Sequence, residues 1–208
     1  FENSYIQCAI ALFVGYLFGC IQTSFFIGKI LFKVNVKNQG SKNAGASNGV
    51  LLFGWKYGVL IGIIDLLKAY IPVSICLSLT EYNMFLACLV GGGVIIGHIY
   101  PFFMNFSGGK GMSSYFGMVL ALDFSFGMIL LFLAAIFLMI TNYVAVATVL
   151  ILLIVPIREY ILSSYMKYQP EFVVCLLFLS LLIILKHVEN LVKIKNGTET
   201  TFWSVFKK

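Results

Sequence analysis

The sequence predicts an all-α, polytopic integral membrane protein: a helical bundle of about seven transmembrane helices forming a single domain over residues 1–208. Three observations carry this. Hydrophobic residues make up 61% of the chain and charged residues only 11%, against about 45–50% and 25% in soluble domains, so a water-soluble globule could not hide the apolar surface. Several apolar stretches reach the roughly 20 residues that a spanning helix needs. The net charge of +6 comes from basic residues gathered at the ends of those stretches, which fits a membrane protein and argues against nucleic acid as a partner.

The first helix is expected over Tyr5–Phe32. It is too long for the apolar core of a signal peptide and no basic residue precedes it, so it reads as a retained span. The second is expected over Lys56–Leu79 and the third over Met84–Phe103. The fourth, Met112–Phe124, is short for a full span. The fifth, Phe126–Ile140, and the sixth, Val144–Ile161, are divided at Asn142–Tyr143, because undivided they would form one helix of implausible length. The seventh covers Glu171–Leu185.

Charge sets the orientation. Lys33, Lys37 and Lys42 lie between the first two helices, with Lys29 and Lys56 at their edges; Lys110 lies in the next loop on that side, and Lys186, Lys193, Lys195, Lys207 and Lys208 lie in the tail. The opposite side has Arg158 and Lys167 as its only basic residues, and Asp123 is expected there too. The positive-inside rule then puts the N-terminus outside and the C-terminus in the cytoplasm. Every Gly- and Asn-rich segment faces the cytoplasm in that arrangement.

Cys8, Cys20, Cys76, Cys88 and Cys175 are scattered through apolar stretches without a C-x-x-C pair. They read as small packing residues, not as a disulfide framework or zinc site. No metal-ligand cluster, Ser-His-Asp spacing or dinucleotide fingerprint is present, and no cofactor is expected.

Three polar segments could carry chemistry. The first is Gln39-Gly40-Ser41-Lys42-Asn43-Ala44-Gly45-Ala46-Ser47-Asn48-Gly49. It is either an ordinary polar turn or a nest in which backbone N–H groups, with Ser and Asn donors, face a phosphate. The second is Ser107-Gly108-Gly109-Lys110-Gly111-Met112-Ser113, opening the fourth helix. It is either a flexible basic loop or a Gly-rich turn at a helix start that suits an anion, with Lys110 adding a charge. A Walker A loop would need Gly at Met104 and Ser or Thr at Gly111, so a nucleotide is not expected. The third is His187-Val188-Glu189-Asn190-Leu191-Val192-Lys193, followed by Asn196-Gly197-Thr198-Glu199. If the seventh helix continues, His187 and Asn190 share a face. They are then either a pair for orienting or deprotonating a hydroxyl or an interfacial helix end. Asp65 and Lys68, also three apart, are expected to pair within the membrane in a structural role. His98 and Pro101 are expected to shape the end of the third helix.

The order of these segments resembles the PlsY-type family, membrane acyltransferases that use acyl phosphate to acylate glycerol 3-phosphate. The family's first motif, roughly S-G-N-x-G-A-T-N with an Arg three residues on, appears as Ser41 to Asn48. The second, G-H-x-x-P followed by G-G-K-G, appears as Gly97-His98, Pro101 and Gly108 to Gly111. The third, H-x-x-N-x-x-R with G-x-E beyond, appears as His187, Asn190, Lys193, Gly197 and Glu199. A D-x-x-K pair appears as Asp65 and Lys68. There are departures. Leu51 stands at the first motif's Arg, Ala145 at a usual Ser, Lys42 at a Gly, and Lys193 at an Arg.

The resemblance implies an O-acyltransferase working from acyl phosphate at the cytoplasmic face of the cell membrane, with glycerol 3-phosphate or another small hydroxyl compound as acceptor. Substrate binding falls to Ser41, Lys42, Asn43, Gly45, Ser47, Asn48, Gly108, Gly109, Lys110, Gly111 and Lys193. Catalysis falls to His187, Asn190, Lys110 and Ser41, with His187 as candidate base. Asp65, Lys68 and Glu199 are structural. The other reading is a non-catalytic lipid-binding or lipid-moving protein on the same scaffold.

Overall fold

The computed structural model describes residues 2–166 and 170–206. Lys167, Lys207 and Lys208, three of the residues used for orientation, lie outside the described residues. All regular structure described is helical, with no strand among the described residues. Among the described residues, six segments are long and apolar enough to cross a bilayer: Ser4–Leu31, Trp55–Leu79, Met84–Met104, Phe124–Thr141, Val144–Ser163 and Pro170–Lys195. The expected fourth span is shorter still than expected, an 11-residue helix over Met112–Leu122. That is roughly 16 Å of helix against a hydrocarbon core of about 30 Å. The chain divides into two compact units, residues 1–122 and 123–208.

The first unit contains α1 (Glu2–Gly19), α2 (Thr23–Leu31), α3 (Ala46–Phe53), α4 (Trp55–Leu79), α5 (Met84–Ile99) and α6 (Met112–Leu122). The single helix expected over Tyr5–Phe32 is thus two helices. The break has a physical cause in Gln22, Thr23 and Ser24, a polar run that is fully or almost fully buried. Carbonyls released by the break still need donors, since no water reaches them in a bilayer. Lys68 on α4 donates to Ile21 O at 2.7 Å and Gly19 O at 3.2 Å. Gln22 Nε2 donates to His98 O at 3.0 Å and Gly19 O at 3.3 Å.

α1 packs chiefly on α5. Their backbones meet through Gly15 and Gly19 on one side and Gly93 and Gly97 on the other. A Cβ on any of the four would collide with a carbonyl of the facing helix. This is close small-residue packing, the main source of cohesion where lipid competes equally for apolar side chains. α6 approaches α4 in the same way, with Gly117 against Leu66 O. Helix α3 was read in the sequence as loop. Gly54, at φ 87°, ends it and starts α4.

The second unit contains α7 (Phe124–Thr141), α8 (Val144–Met166) and α9 (Pro170–Lys195). The division at Asn142–Tyr143 holds. Asn142 adopts the left-handed conformation at φ 61° and closes α7. The tail returns to this turn, where Phe202 N–H donates to Asn142 O at 2.9 Å and Trp203 N–H to its Oδ1 at 3.0 Å. Asp123 lies at the opposite end of α7, where its carboxylate accepts the Phe126 N–H at 3.0 Å as an N-cap. Arg158 binds Asp123 at 2.7 Å, pairs with Glu159, and lies 4.1 Å from the Phe126 ring centre. Burial works against the charged Asp123, but the Phe126 amide and Arg158 outweigh it and hold the carboxyl below its usual range.

α9 runs ten residues past the expected end at Leu185. An i, i+4 ion pair between Glu189 and Lys193 at 2.6 Å supports the extension. Gly197, at φ 69°, stops it, with Thr198 N–H on Lys193 O and Gly197 N–H on Ile194 O. This is the Schellman arrangement that satisfies the last carbonyls of a helix.

Candidate functional site

The first polar loop is built around Asn48. Its Oδ1 accepts the Ser41 N–H at 2.8 Å, and its Nδ2 donates to Val36 O at 3.1 Å and Gln39 O at 3.2 Å. The side chain is fully buried. Asn48, expected to contact substrate, therefore uses its amide to shape the loop. Gly40 permits this, because a Cβ there would strike Asn48 Oδ1 and φ is 60°. Ser41, Lys42 and Ser47 are exposed and Asn43 is half-buried. Gly45 precedes α3, and no side chain caps that helix.

The Gly-rich loop is not the loose connector its composition suggests. Gly108, Gly109 and Gly111 are buried, and Lys110 is half-buried. Gly108 N–H donates to Ile99 O and Gly109 N–H to His98 O, both at 2.9 Å. These two amides, expected to face a phosphate, are committed to the end of α5. The two polar loops touch each other. Ala44 N–H donates to Gly108 O at 3.4 Å, and Lys37 Nζ to Ser107 Oγ at 2.8 Å. Their contact brings the uncapped start of α3 and the start of α6 into one region beside Lys110. The first amides of a helix have no intrahelical partner and sit at the positive end of its dipole. Two such starts and a lysine form an arrangement suited to a phosphate.

A buried cluster adjoins the Gly-rich loop through His98. Asp65 Oδ1 is 2.9 Å from Lys68 Nζ and accepts the Thr23 hydroxyl at 2.8 Å. Lys68 Nζ is 2.8 Å from His98 Nδ1. Ser114 Oγ donates to Asp65 O at 3.0 Å. The Asp65–Lys68 pair was legible in the sequence, whereas Gln22, Thr23 and Ser114 were missed. A polar triplet halfway along an apolar stretch was the available signal, since intramembrane polar residues seek partners.

In the second unit, His187 is buried, and its Nδ1 lies 2.8 Å from Ile183 O. A carbonyl only accepts, so Nδ1 carries the ring proton and Nε2 is the atom able to take another. Asn190, one turn on, donates from Nδ2 to Glu199 Oε1 at 2.7 Å. That bond holds the residues after the helix against its last turns. Lys193, expected at a substrate, is paired with Glu189 at the surface.

This geometry can be set beside known proteins. A profile of the glycerol-3-phosphate acyltransferase family matches residues 9–197. The chain belongs to the glycerol-3-phosphate acyltransferase family. Glycerol-3-phosphate acyltransferase 1 of Oceanobacillus iheyensis is 38% identical, covering 96% of this chain and 97% of its own. A glycerol-3-phosphate acyltransferase of Streptococcus thermophilus is 32% identical, over 93% and 92%. Among solved structures the chain is similar to PlsY (YgiH), an integral membrane glycerol 3-phosphate acyltransferase. Its glycerol 3-phosphate form aligns with a TM-score of 0.85 at 28% identity, covering 94% of this chain and 95% of that one. Its lysophosphatidic acid form aligns with a TM-score of 0.81 at 27% identity, covering 97% and 99%.

The departures from the glycerol-3-phosphate acyltransferase motifs also have positions. Leu51 is 42% exposed on α3, one turn beyond Ser47 and on the same face. An arginine there would have room to extend. Lys42 stands at φ 58° in the loop before α3, exposed. Ala145 is buried near the start of α8 in the second unit.

Proposed function

We propose that this chain transfers a fatty acyl group from acyl phosphate to glycerol 3-phosphate, forming lysophosphatidic acid for phospholipid biosynthesis. The observation that carries this is the contact between the two motif loops, which sets the uncapped start of α3, the start of α6 and Lys110 side by side in a member of this family. The acyl chain lies among the helices in the bilayer. An acceptor hydroxyl oxygen attacks the carbonyl carbon, the bond from that carbon to the phosphate oxygen breaks, and inorganic phosphate leaves. Lys110 and the helix starts bear the phosphate charge, with Ser41, Asn43, Gly45 and Ser47 lining the first loop. His187 takes the hydroxyl proton on Nε2, and Asn190, steadied by Glu199, orients the acceptor. The mixed anhydride already carries a good leaving group, so positioning and charge stabilisation are the main demands. The whole chain serves as one functional domain.

The test is turnover by the pure protein in lipid nanodiscs, supplied with acyl phosphate and glycerol 3-phosphate. Lysophosphatidic acid and inorganic phosphate are expected in equal amounts, and their absence would overturn the reading. Lys42 supplies the charge that Leu51 lacks. Lys42→Gly is therefore expected to abolish use of glycerol 3-phosphate, and Leu51→Arg to restore it. Efficient turnover that ignores Lys42 would show that it carries no such charge.

The chemistry faces the cytoplasm of a cell membrane, with the N-terminus outside, an arrangement that needs the short helix α6 as a seventh crossing. The lysine asymmetry supports this. Single cysteines placed near Asn196 and near Glu2, in a background freed of native cysteines, should label from opposite sides of sealed vesicles. Labelling of both from one side would reject this orientation.

A further inference from the structure

Asp65, Lys68 and His98 form a cluster that the proposed chemistry does not use. All three are at most 5% exposed. Ionisable groups at this depth are costly and weak as pure stabilisers, since a well-packed apolar set of the same volume often holds a fold as well. Their contacts lead in one direction. Asp65 and the carbonyls of Gly19 and Ile21 fix the Lys68 ammonium. Lys68 donates to His98 Nδ1 at 2.8 Å. Nδ1 is thereby the acceptor of the ring and Nε2 carries its proton. A flipped ring would turn a C–H toward the ammonium.

The far side of His98 meets the Gly-rich loop. A Cβ on Gly109 would collide with His98 Nε2, and one on Gly108 with His98 O. Gly109 N–H donates to that same carbonyl at 2.9 Å, and Gln22 Nε2 donates to it at 3.0 Å. The ring stands where the loop's side chain would be, and the loop rests on it.

We propose that Lys68, anchored by Asp65, is a positioning residue that acts through His98. It fixes the ring supporting the turn Gly108–Gly111, and so sets where Lys110 and the start of α6 meet the phosphate group. This rests on the phosphate role assigned to Lys110 above.

The test compares wild type, Lys68→Met, His98→Phe and the double variant as full chains in nanodiscs. Two quantities are read: amide hydrogen exchange of the peptide covering residues 105–112, and KM and kcat for acyl phosphate. Each single change should speed exchange in that peptide and raise KM roughly tenfold to a hundredfold, the scale of a small misplacement at a reacting group, with kcat less affected. The double variant should be no worse than His98→Phe alone, because coupled residues are not additive. Lys68→Met strands the Asp65 charge, so Asp65→Asn/Lys68→Met is measured beside it as the neutral form. Additive losses, or exchange that rises along α4 and α5 but not in the loop, would reduce Lys68 to a structural residue and overturn the proposal. If wild type forms no lysophosphatidic acid, the functional reading fails. The exchange pattern then decides the positioning claim by itself.

Discussion

Replacing His187 with alanine is expected to lower kcat by about 10²–10⁴-fold, the usual contribution of a positioned general base. The ring is buried in α9, and its Nδ1 faces Ile183 O at 2.8 Å. That contact fixes the tautomer, so the basic nitrogen is Nε2. Asn190 sits one turn further, held at 2.7 Å by Glu199. As the proposed base, His187 has in Asn190 a hydrogen-bonding neighbour able to orient a hydroxyl. The loss should fall on kcat more than on KM, since proton transfer belongs to the transition state. His187→Gln can keep a donor near Ile183 O but offers no basic nitrogen, and should be nearly as slow. Turnover within a few-fold of wild type in folded His187→Ala would instead assign the proton to the departing phosphate.

Much of the scaffold was legible because a bilayer imposes simple rules on sequence. Long apolar runs gave the spans, and the implausible length of an undivided helix gave the division between α7 and α8. What stayed hidden depended on contacts distant in sequence. The break at Gly19–Gln22 requires Lys68, 49 and 47 positions beyond the carbonyls it satisfies, and no local pattern reports that. Helix α3 was concealed because its first turn is Ala-Ser-Asn-Gly, residues equally at home in a turn. The extension of α9 was concealed because the apolar signal stops at Leu185 while the helix continues on an ion pair and a Schellman end.

The polar motifs were found through their residue types, but composition misassigned some of their atoms. Gly108 and Gly109 were expected to offer amides to phosphate, and both amides bind α5 carbonyls. Asn48 was expected to touch substrate, and its amide closes the first loop. Glycine is needed at these loop positions for close approach. A Cβ at Gly109 would meet both His98 and Ala44. The sequence marks where backbones come close, and only the structure distinguishes a ligand from a neighbouring helix as the thing approached.

Lys110→Ala is expected to reduce kcat/KM by about 10²–10³-fold, the scale for losing one preorganised charge stabiliser in a catalytic site. Lys110 follows two glycines whose amides are pinned to the end of α5, and it precedes α6 by two residues. Its backbone is therefore fixed before any ligand binds, so little ordering is needed when a phosphate arrives. The side chain is half-buried, where salt screens a charge less than at a fully exposed site. The defect should persist at raised ionic strength, unlike a loss of long-range attraction. Lys110→Arg should recover part of the activity, because it keeps the charge but brings a larger planar fork into a site fitted to an ammonium. The bundle should remain folded, since Gly108 and Gly109 hold the loop through backbone bonds that alanine at position 110 leaves in place. The measurement is steady-state kinetics for both substrates together with thermal unfolding in nanodiscs. A folded Lys110→Ala protein with normal kinetics would make the Gly-rich loop a connector and leave the helix starts alone to meet the phosphate charge.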